Sequence, residues 1–370
     1  MFVGYYPSWL DSIPAPSAGG RDTANDAAIA SGLALVPLVY SHIVIAFADP
    51  NFSWDGDMTS WVGSGLQFHA SPAQIECAIE TLHARKLRVL LAVGGATYTN
   101  WTALAAERRS RSAGPTIKAL VHMIDALGLD GLDVDFELGG ADDAAVQEYR
   151  DAIRALDTAV HLAGRDKLLT LAAWSTGADC TAAAALSPCG GKTSMWVGGR
   201  TGRERMTFAD LDIVHTLSMV SIMSYDAGYE NYDAVKEWTL YRALLPERIV
   251  VNIGFEIAPE GWGGGRLVAE DTQAKCPGSI VLADQFGQPV NRPYSVDRLI
   301  KTGPLSRPPH GNPQDGIMLW HMLKDGNLPD CGSLPVVSPQ GLEAKVASLL
   351  NSGPGRAASP SAHTEAALVR

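Results

Sequence analysis

The chain is short of positive charge, cysteine and long apolar runs, and each shortage removes a class of function. Lys and Arg number 29 against 40 Asp and Glu, a formal charge of −11 over 370 residues, and no basic cluster is long enough to track a phosphate backbone. Neither nucleic acid nor an anionic membrane surface is an expected partner. The most apolar stretch, Leu33 to Ala48, is interrupted by Pro37, Ser41 and His42 and falls short of the roughly 20 residues a bilayer needs, so no membrane span is expected. The N-terminus lacks a basic segment followed by an apolar one and enters a strand-like run at once, Phe2-Val3-Gly4-Tyr5-Tyr6. No glycine fingerprint of a dinucleotide fold follows that run, which argues against an open doubly wound sheet. Only five cysteines are present, so at least one is left over. Cys180 and Cys189 flank an Ala/Ser/Pro-rich loop, Cys276 and Cys331 fall in loop-like sequence, and Cys77 falls within a helical apolar stripe. The expected pattern is two bridges, Cys180 to Cys189 and Cys276 to Cys331, with Cys77 a buried free thiol. Five reduced thiols in a cytosolic protein are the alternative.

What is present is an ordinary globular composition, 46% hydrophobic and 19% charged, with apolar runs and helical segments in alternation. Strands are expected at Phe2–Tyr6, His42–Ala48, Arg88–Val93, Gly131–Glu137, Leu168–Trp174, Met219–Tyr225, Ile249–Phe255 and Ile317–Trp320. Ser71-Pro72-Ala73-Gln74, followed by Ile75, Ile79 and Leu82, has the cap, the first-turn proline and the spacing of an amphipathic helix. Further helices are expected at Thr116–Leu127, Asp142–Leu162, Ala234–Leu245, Ser295–Lys301 and Gln340–Leu350. Eight strands alternating with helices predict an α/β fold, the closed (β/α)8 TIM barrel, over residues 1–351. Ile257 to Arg292 is the longest insertion, with a hairpin expected around Ile280 to Val290, and the Gly/Pro/Ser/Ala-rich residues 352–370 read as a flexible tail or linker stub.

The most informative segment is Asp130-Gly131-Leu132-Asp133-Val134-Asp135-Phe136-Glu137. Strand alternation sends Leu132, Val134 and Phe136 to one face and Asp133, Asp135 and Glu137 to the other. A barrel strand has helices outside and a packed interior, so the acids must line the axis, with Glu137 at the C-terminal end where barrel enzymes work. Neighbouring acids on that face are about 7 Å apart, and at an effective dielectric of 20 two such charges repel by roughly 2.4 kcal/mol. One or two protons are therefore expected to be shared among the three, which leaves a general acid at the pocket mouth. A solvated acidic edge and a D-x-D metal loop are the competing readings. The Leu, Val and Phe between the acids enforce an extended strand, whereas an oxygen-ligand metal loop needs tight turns, so neither a metal nor a cofactor is expected.

With these residues in view, the sequence resembles glycoside hydrolase family 18, the chitinases and their relatives. The signature D-G-x-D-x-D-x-E is matched in full by residues 130–137, and the resemblance runs through Gly4-Tyr5-Tyr6, Val93-Gly94-Gly95, Met223-Ser224-Tyr225-Asp226 and Trp320. It implies that Glu137 protonates the glycosidic oxygen while the substrate's own 2-acetamido carbonyl attacks the anomeric carbon, giving an oxazolinium ion with retention. Asp135 would then orient the acetamido group, Asp133 would share a proton with Asp135, and Tyr225 would hydrogen-bond the acetamido oxygen. Asp226 and Met223 would contact the sugar, and Trp320 would form the apolar floor beneath it. Without the resemblance, Tyr225 and Trp320 read as core aromatics.

One departure stands out. Where the family commonly has S-x-G-G on the third strand, this chain has Ala92-Val93-Gly94-Gly95, so the hydroxyl that ordinarily supports the buried aspartate is missing. Tyr5 is then expected to be the only neutral donor to Asp133, and Ala92→Ser to shift the acidic limb of the pH profile. The insertion after the seventh strand is too short for the small α+β domain found there in many relatives, which implies an open cleft and endo cleavage. Trp9, Trp54, Trp61, Trp101 and Trp262 fall in expected loops at strand ends, where sugar rings could stack, and two of the five are expected to do so. The expected function is an endo-acting chitinase, a monomer, extracellular with a cytoplasmic location as the alternative, acting on chitin or N-acetylglucosamine oligosaccharides. An endo-β-N-acetylglucosaminidase acting on glycan chitobiose cores and a non-hydrolytic lectin of the same fold are the competing functions.

Overall fold

The structure is a computed structural model, and it describes residues 1–12, 31–109, 113–181, 199–225, 234–256, 282–283, 289–290, 303–306 and 311–323. Eight parallel strands form the barrel: β1 (Phe2–Pro7), β2 (His42–Ala48), β3 (Arg88–Gly94), β4 (Gly131–Asp135), β5 (Leu168–Ala173), β6 (Met219–Ile222), β7 (Val250–Glu256) and β8 (Gly316–Trp320). Each pairs with the next, and β8 closes on β1 through the register Phe2↔Ile317, Val3↔Met318 and Gly4↔Leu319. All eight expected strands are present, with ends differing by up to three residues. β4 ends at Asp135, so Phe136 and Glu137 already belong to the connection above the barrel.

The intervening helices are α1 (Pro72–Ala84), α2 (Thr102–Arg109), α3 (Pro115–Leu127), α4 (Asp143–Ala163), α5 (Arg203–Phe208), α6 (Leu211–Thr216) and α7 (Ala234–Leu244). Of these, α2, α5 and α6 were not expected from sequence; they have six to eight residues each, too few for a clear helical period. The expected start of α1 is present in full: Ser71 and Gln74 form a reciprocal capping box, and Pro72 opens the helix. Glu107 on α2 caps a second helix across a turn, its two oxygens accepting from the Thr116 and Ile117 N–H groups at 2.9 Å each. These are donors that the start of α3 leaves without helical partners.

Strand alternation produces two cores. The outward residues, among them Ile43, Ile45, Leu91, Leu132 and Val134, pack with helix residues such as Ile79, Leu120, Ile124 and Leu156. The inward ones, among them Val3, Tyr5, Val44, Ala46, Leu90, Ala92, Met219 and Met318, fill the barrel axis. Asp133 and Asp135 share that inward side. Ala92 and Thr170 are the residues in register with Asp133 on the two flanking strands, so the three lie in one row.

Cys77 is a correction: it is free, as expected, but exposed rather than buried. The buried stripe of α1 is Ile75, Ala78, Ile79 and Leu82. Cys77 lies two positions from both Ile75 and Ile79, about 200° around the helix from each. Cys180 is disulfide-bonded, whereas Cys189, Cys276 and Cys331 lie outside the described residues. The expected hairpin appears as a two-residue antiparallel ladder, Leu282↔Val290 and Ala283↔Pro289. The rest of the insertion, the helices expected at residues 295–301 and 340–350, and the tail from residue 352 lie outside the described residues.

Candidate active site

The first two residues of the acidic segment build the frame. Asp130 accepts from the Val89 N–H at 2.7 Å and contacts His83 Nε2 at 2.8 Å, which ties the start of β4 to β3 and α1. Gly131 passes so close to the Leu168 backbone that any Cβ there would overlap the Leu168 carbonyl oxygen. The start of β4 is thereby fixed, and the strand carries its acids up the axis in register.

Asp133 is buried at mid-barrel and each of its oxygens accepts one hydroxyl. Tyr5 donates to Oδ2 at 2.7 Å, and Thr170 donates to Oδ1 at 2.5 Å. Burial pushes the Asp133 carboxyl up to about 6, while the two donors oppose the rise by favouring the ionised form. Burial first, and then the facing Asp133 carboxylate, hold the Tyr5 hydroxyl well above its ordinary value, so it remains a donor throughout the working range. The expectation that Tyr5 is the only neutral donor to Asp133 is thereby corrected, because β5 supplies a second hydroxyl from the adjacent position in the row.

Asp135 is 4% exposed and its Oδ1 has no hydrogen-bond partner among the described residues. Its carboxyl is held well above the ordinary range by burial, then by the charges of Glu137 and Asp133; attraction to Arg203 and Arg200 offsets part of this. The expected crowding of acids is thus present on the axis, above an apolar floor. Gly94 and Gly95 admit the strand end that carries them. A Cβ on Gly94 would overlap the Asp135 carbonyl oxygen, and the Gly95 N–H donates to that same oxygen at 2.8 Å.

Glu137 is half-buried at the mouth, on a connection held through its backbone by two arginines. Arg200 donates to the Glu137 carbonyl and lays its guanidinium over the Trp174 ring, 4.3 Å from the centroid. Arg203, fully buried, donates to the Leu138 carbonyl at 3.0 Å and to Glu204 at 2.6 Å, and stacks on Tyr149 at 4.3 Å. Neither arginine was anticipated from sequence. They lie in Gly-Arg-Thr-Gly-Arg-Glu-Arg, where no periodicity marks a buried position.

An aromatic tier covers the mouth. Trp320 stacks on Phe47 at 5.4 Å and meets Tyr5 edge-on at 5.7 Å, and Trp9 stacks on the same Phe47 at 5.9 Å. Trp9 is 37% exposed. Met223 is buried, and Tyr225 packs half-buried against the same interior group as Trp320. Tyr5, Met223, Tyr225, Trp320 and Trp9 are therefore brought to the top of the axis together with the acids. Trp101 is not: it is 1% exposed and packs on Phe136 at 5.2 Å, so it is a wall residue with no face for a sugar ring. Trp54 is likewise buried and donates to the Ser60 carbonyl, and half-buried Trp61 donates to the Ala70 carbonyl, both bracing a loop. Asp226 and Trp262 lie outside the described residues. Among the described residues no cluster of His, Cys, Asp and Glu has the arrangement of a metal site, and no helix is long and apolar enough to cross a membrane.

Comparison with known proteins agrees with this architecture. The chain resembles a family GH18 chitinase from Chromobacterium violaceum, at 18% identity and a TM-score of 0.54, over 95% of this chain and 83% of that one. A Streptomyces coelicolor protein assigned as Chitinase A aligns at 16% identity and a TM-score of 0.53, over 95% of this chain and 98% of that one. At such identities the likeness is one of fold. Comparison with curated protein sequences gives no match. The sequence pattern of the glycosyl hydrolases family 18 matches residues 1–256, which takes in β1 to β7 and the whole acidic segment, and the chain belongs to that family.

Proposed function

We propose that the protein is a retaining, endo-acting chitinase that hydrolyses β-1,4 links between N-acetylglucosamine units with help from the substrate's own acetamido group. The observation that carries this reading is the row of acids rising through the buried barrel interior to a half-buried Glu137. Glu137 donates its proton to the leaving oxygen as that bond breaks. The acetamido carbonyl closes on the anomeric carbon from the opposite face, and water then opens the oxazolinium ion after Glu137 has taken its proton. Asp135, crowded and lacking a partner on Oδ1 among the described residues, receives the acetamido N–H and balances the charge that develops on the ring. Asp133 below it takes up or returns the shared proton. Tyr225 holds the acetamido oxygen, Trp320 supports the distorted sugar, Met223 lines the pocket, and Asp226 contacts the sugar from the segment that follows Tyr225.

The acid at position 137 supports hydrolysis over the lectin reading, and exposed Trp9 supports a site that runs past one sugar. We propose residues 1–351 as the catalytic unit, with 257–292 a short insertion and 352–370 a linker-like tail, acting as a monomer. An extracellular location is supported by the bonded state of Cys180, since bridges persist in oxidising compartments. Reducing-end-labelled chitohexaose tests the function: internal cleavage with β-anomeric products is expected. Binding without cleavage would overturn the reading in favour of a lectin, and cleavage of glycoprotein cores alone would overturn it in favour of the endo-β-N-acetylglucosaminidase.

A further inference from the structure

The third-strand hydroxyl missing at Ala92 has a counterpart on the other side of β4. Ala92 and Thr170 are the two residues in register with Asp133, one on β3 and one on β5, and both point inward. A hydroxyl at either position faces the same carboxylate. Thr170 is 1% exposed, and its Oγ1 is 2.5 Å from Asp133 Oδ1, while Tyr5 occupies Oδ2. We propose that Thr170 is a positioning residue for the reaction, a β5 hydroxyl that fixes the Asp133 carboxylate and thereby governs how it exchanges a proton with Asp135.

The side chain does not reach the sugar; it acts through Asp133. A donor to a carboxylate stabilises the ionised form, so its removal shifts the shared proton toward Asp133 and away from Asp135. The groups facing this exchange are Tyr5 from β1, Asp135 and Glu137 from β4 and its extension, Tyr149 from α4, Tyr225 beside Tyr5, and Arg200 and Arg203 beside Asp135. Ala92, on β3, contributes no polar atom. The orientation of Asp133 therefore depends on Tyr5 and Thr170 together, and both of its oxygens are already in use.

The kinetic consequence rests on the chitinase reading, so the test has one arm that needs turnover and one that does not. Thr170→Val keeps the side-chain shape and removes the donor. It is expected to lower kcat on chitohexaose about tenfold, with KM within about twofold, and to move the acidic limb of the profile up by about one pH unit. Thr170→Ser should retain wild-type behaviour, and adding Ala92→Ser to Thr170→Val should recover most of the lost kcat. Carboxyl-labelled aspartate followed by NMR should show Asp133 titrating about one pH unit higher in Thr170→Val whether or not any substrate is cleaved. An unchanged Asp133 titration overturns the proposal. An active Thr170→Val enzyme with a wild-type profile does the same, and so does failure of Ala92→Ser to restore activity. A wild-type protein inert on chitohexaose refutes the chitinase reading alone, and the titration then decides this inference by itself.

Discussion

Asp135 and Glu204 are both buried, at 4% and 0% exposure, yet their surroundings differ in kind. Glu204 Oε1 accepts from Arg203 at 2.6 Å, from the Trp174 N–H at 3.0 Å and from the Tyr149 hydroxyl at 3.5 Å. The carboxylate is matched by a guanidinium of equal burial, and the pair ties the β5 connection to the loop that carries Glu137. Each has one oxygen without a partner among the described residues, Asp135 Oδ1 and Glu204 Oε2, but Asp135 has two acids, Glu137 and Asp133, against it, their charges only partly offset by Arg203 and Arg200, and it is held well above the ordinary carboxyl range. One carboxylate anchors the frame; the other is kept in a state that the frame alone would not choose. A protein tolerates such crowding at a cost in stability, and the usual return is chemistry.

Changing each member of this contrast should have a different effect. The largest is expected at the mouth: Glu137→Gln should lower turnover by at least about 10³-fold while leaving oligomer affinity within a few-fold, measured by product release and calorimetry. Retained turnover would show that the proton comes from elsewhere. Next, Arg203→Met removes the partner of a buried carboxylate and should cost about 3–5 kcal/mol in urea unfolding, since Glu204 is then left buried without its cation. A loss below about 1 kcal/mol would mean that the pair contributes little to the frame.

Asp135→Asn should act in the opposite direction on stability. Because the folded state raises the Asp135 carboxyl, ionisation disfavours folding: the wild-type stability present below the unfolded carboxyl range is lost as pH rises through the folded value. The asparagine variant avoids that loss. Its Tm should exceed wild type by roughly 3 °C or more at pH 7.5, the gain should vanish near pH 4, and activity should fall at both. A lower Tm at pH 7.5 would remove the claim that Asp135 is held at a cost. The smallest effect is expected for Ala92→Ser alone. Both oxygens of Asp133 already accept a hydroxyl, so the pH profile should move by less than about 0.3 unit.

The same contrast marks what the sequence could tell. The acids of β4 were legible because strand alternation is a local rule and no solvated face exists in a barrel, so three alternate acids had to meet on the axis. The eight strands were legible because short apolar runs recur with helical segments between them. Thr170 was not, because its weight comes from the cross-strand register with Asp133, which no local period reveals. A threonine within Leu168-Leu-Thr-Leu-Ala-Ala on the inward phase was the available signal. Arg203 and Glu204 open α5, a six-residue helix too short to show a period, and gain meaning only through Tyr149 and Trp174, contributed by other elements. Trp101 shows the converse: an aromatic residue near a strand end has no preferred side in sequence, and packing on Phe136 assigns it to the wall. Cys77 was misplaced by a helical phase error of two residues.

The central claim is that the axial acids share protons and do not all ionise at neutral pH. Carboxyl-carbon NMR of the wild-type protein, with Asp133 and Asp135 assigned through their asparagine variants, measures this directly. At pH 6 the two aspartates are predicted to hold at least one proton between them and to titrate as a linked pair, Asp133 near about 6 and Asp135 above the ordinary range. Two independent titrations near about 4, with both groups ionised at pH 6, would contradict it.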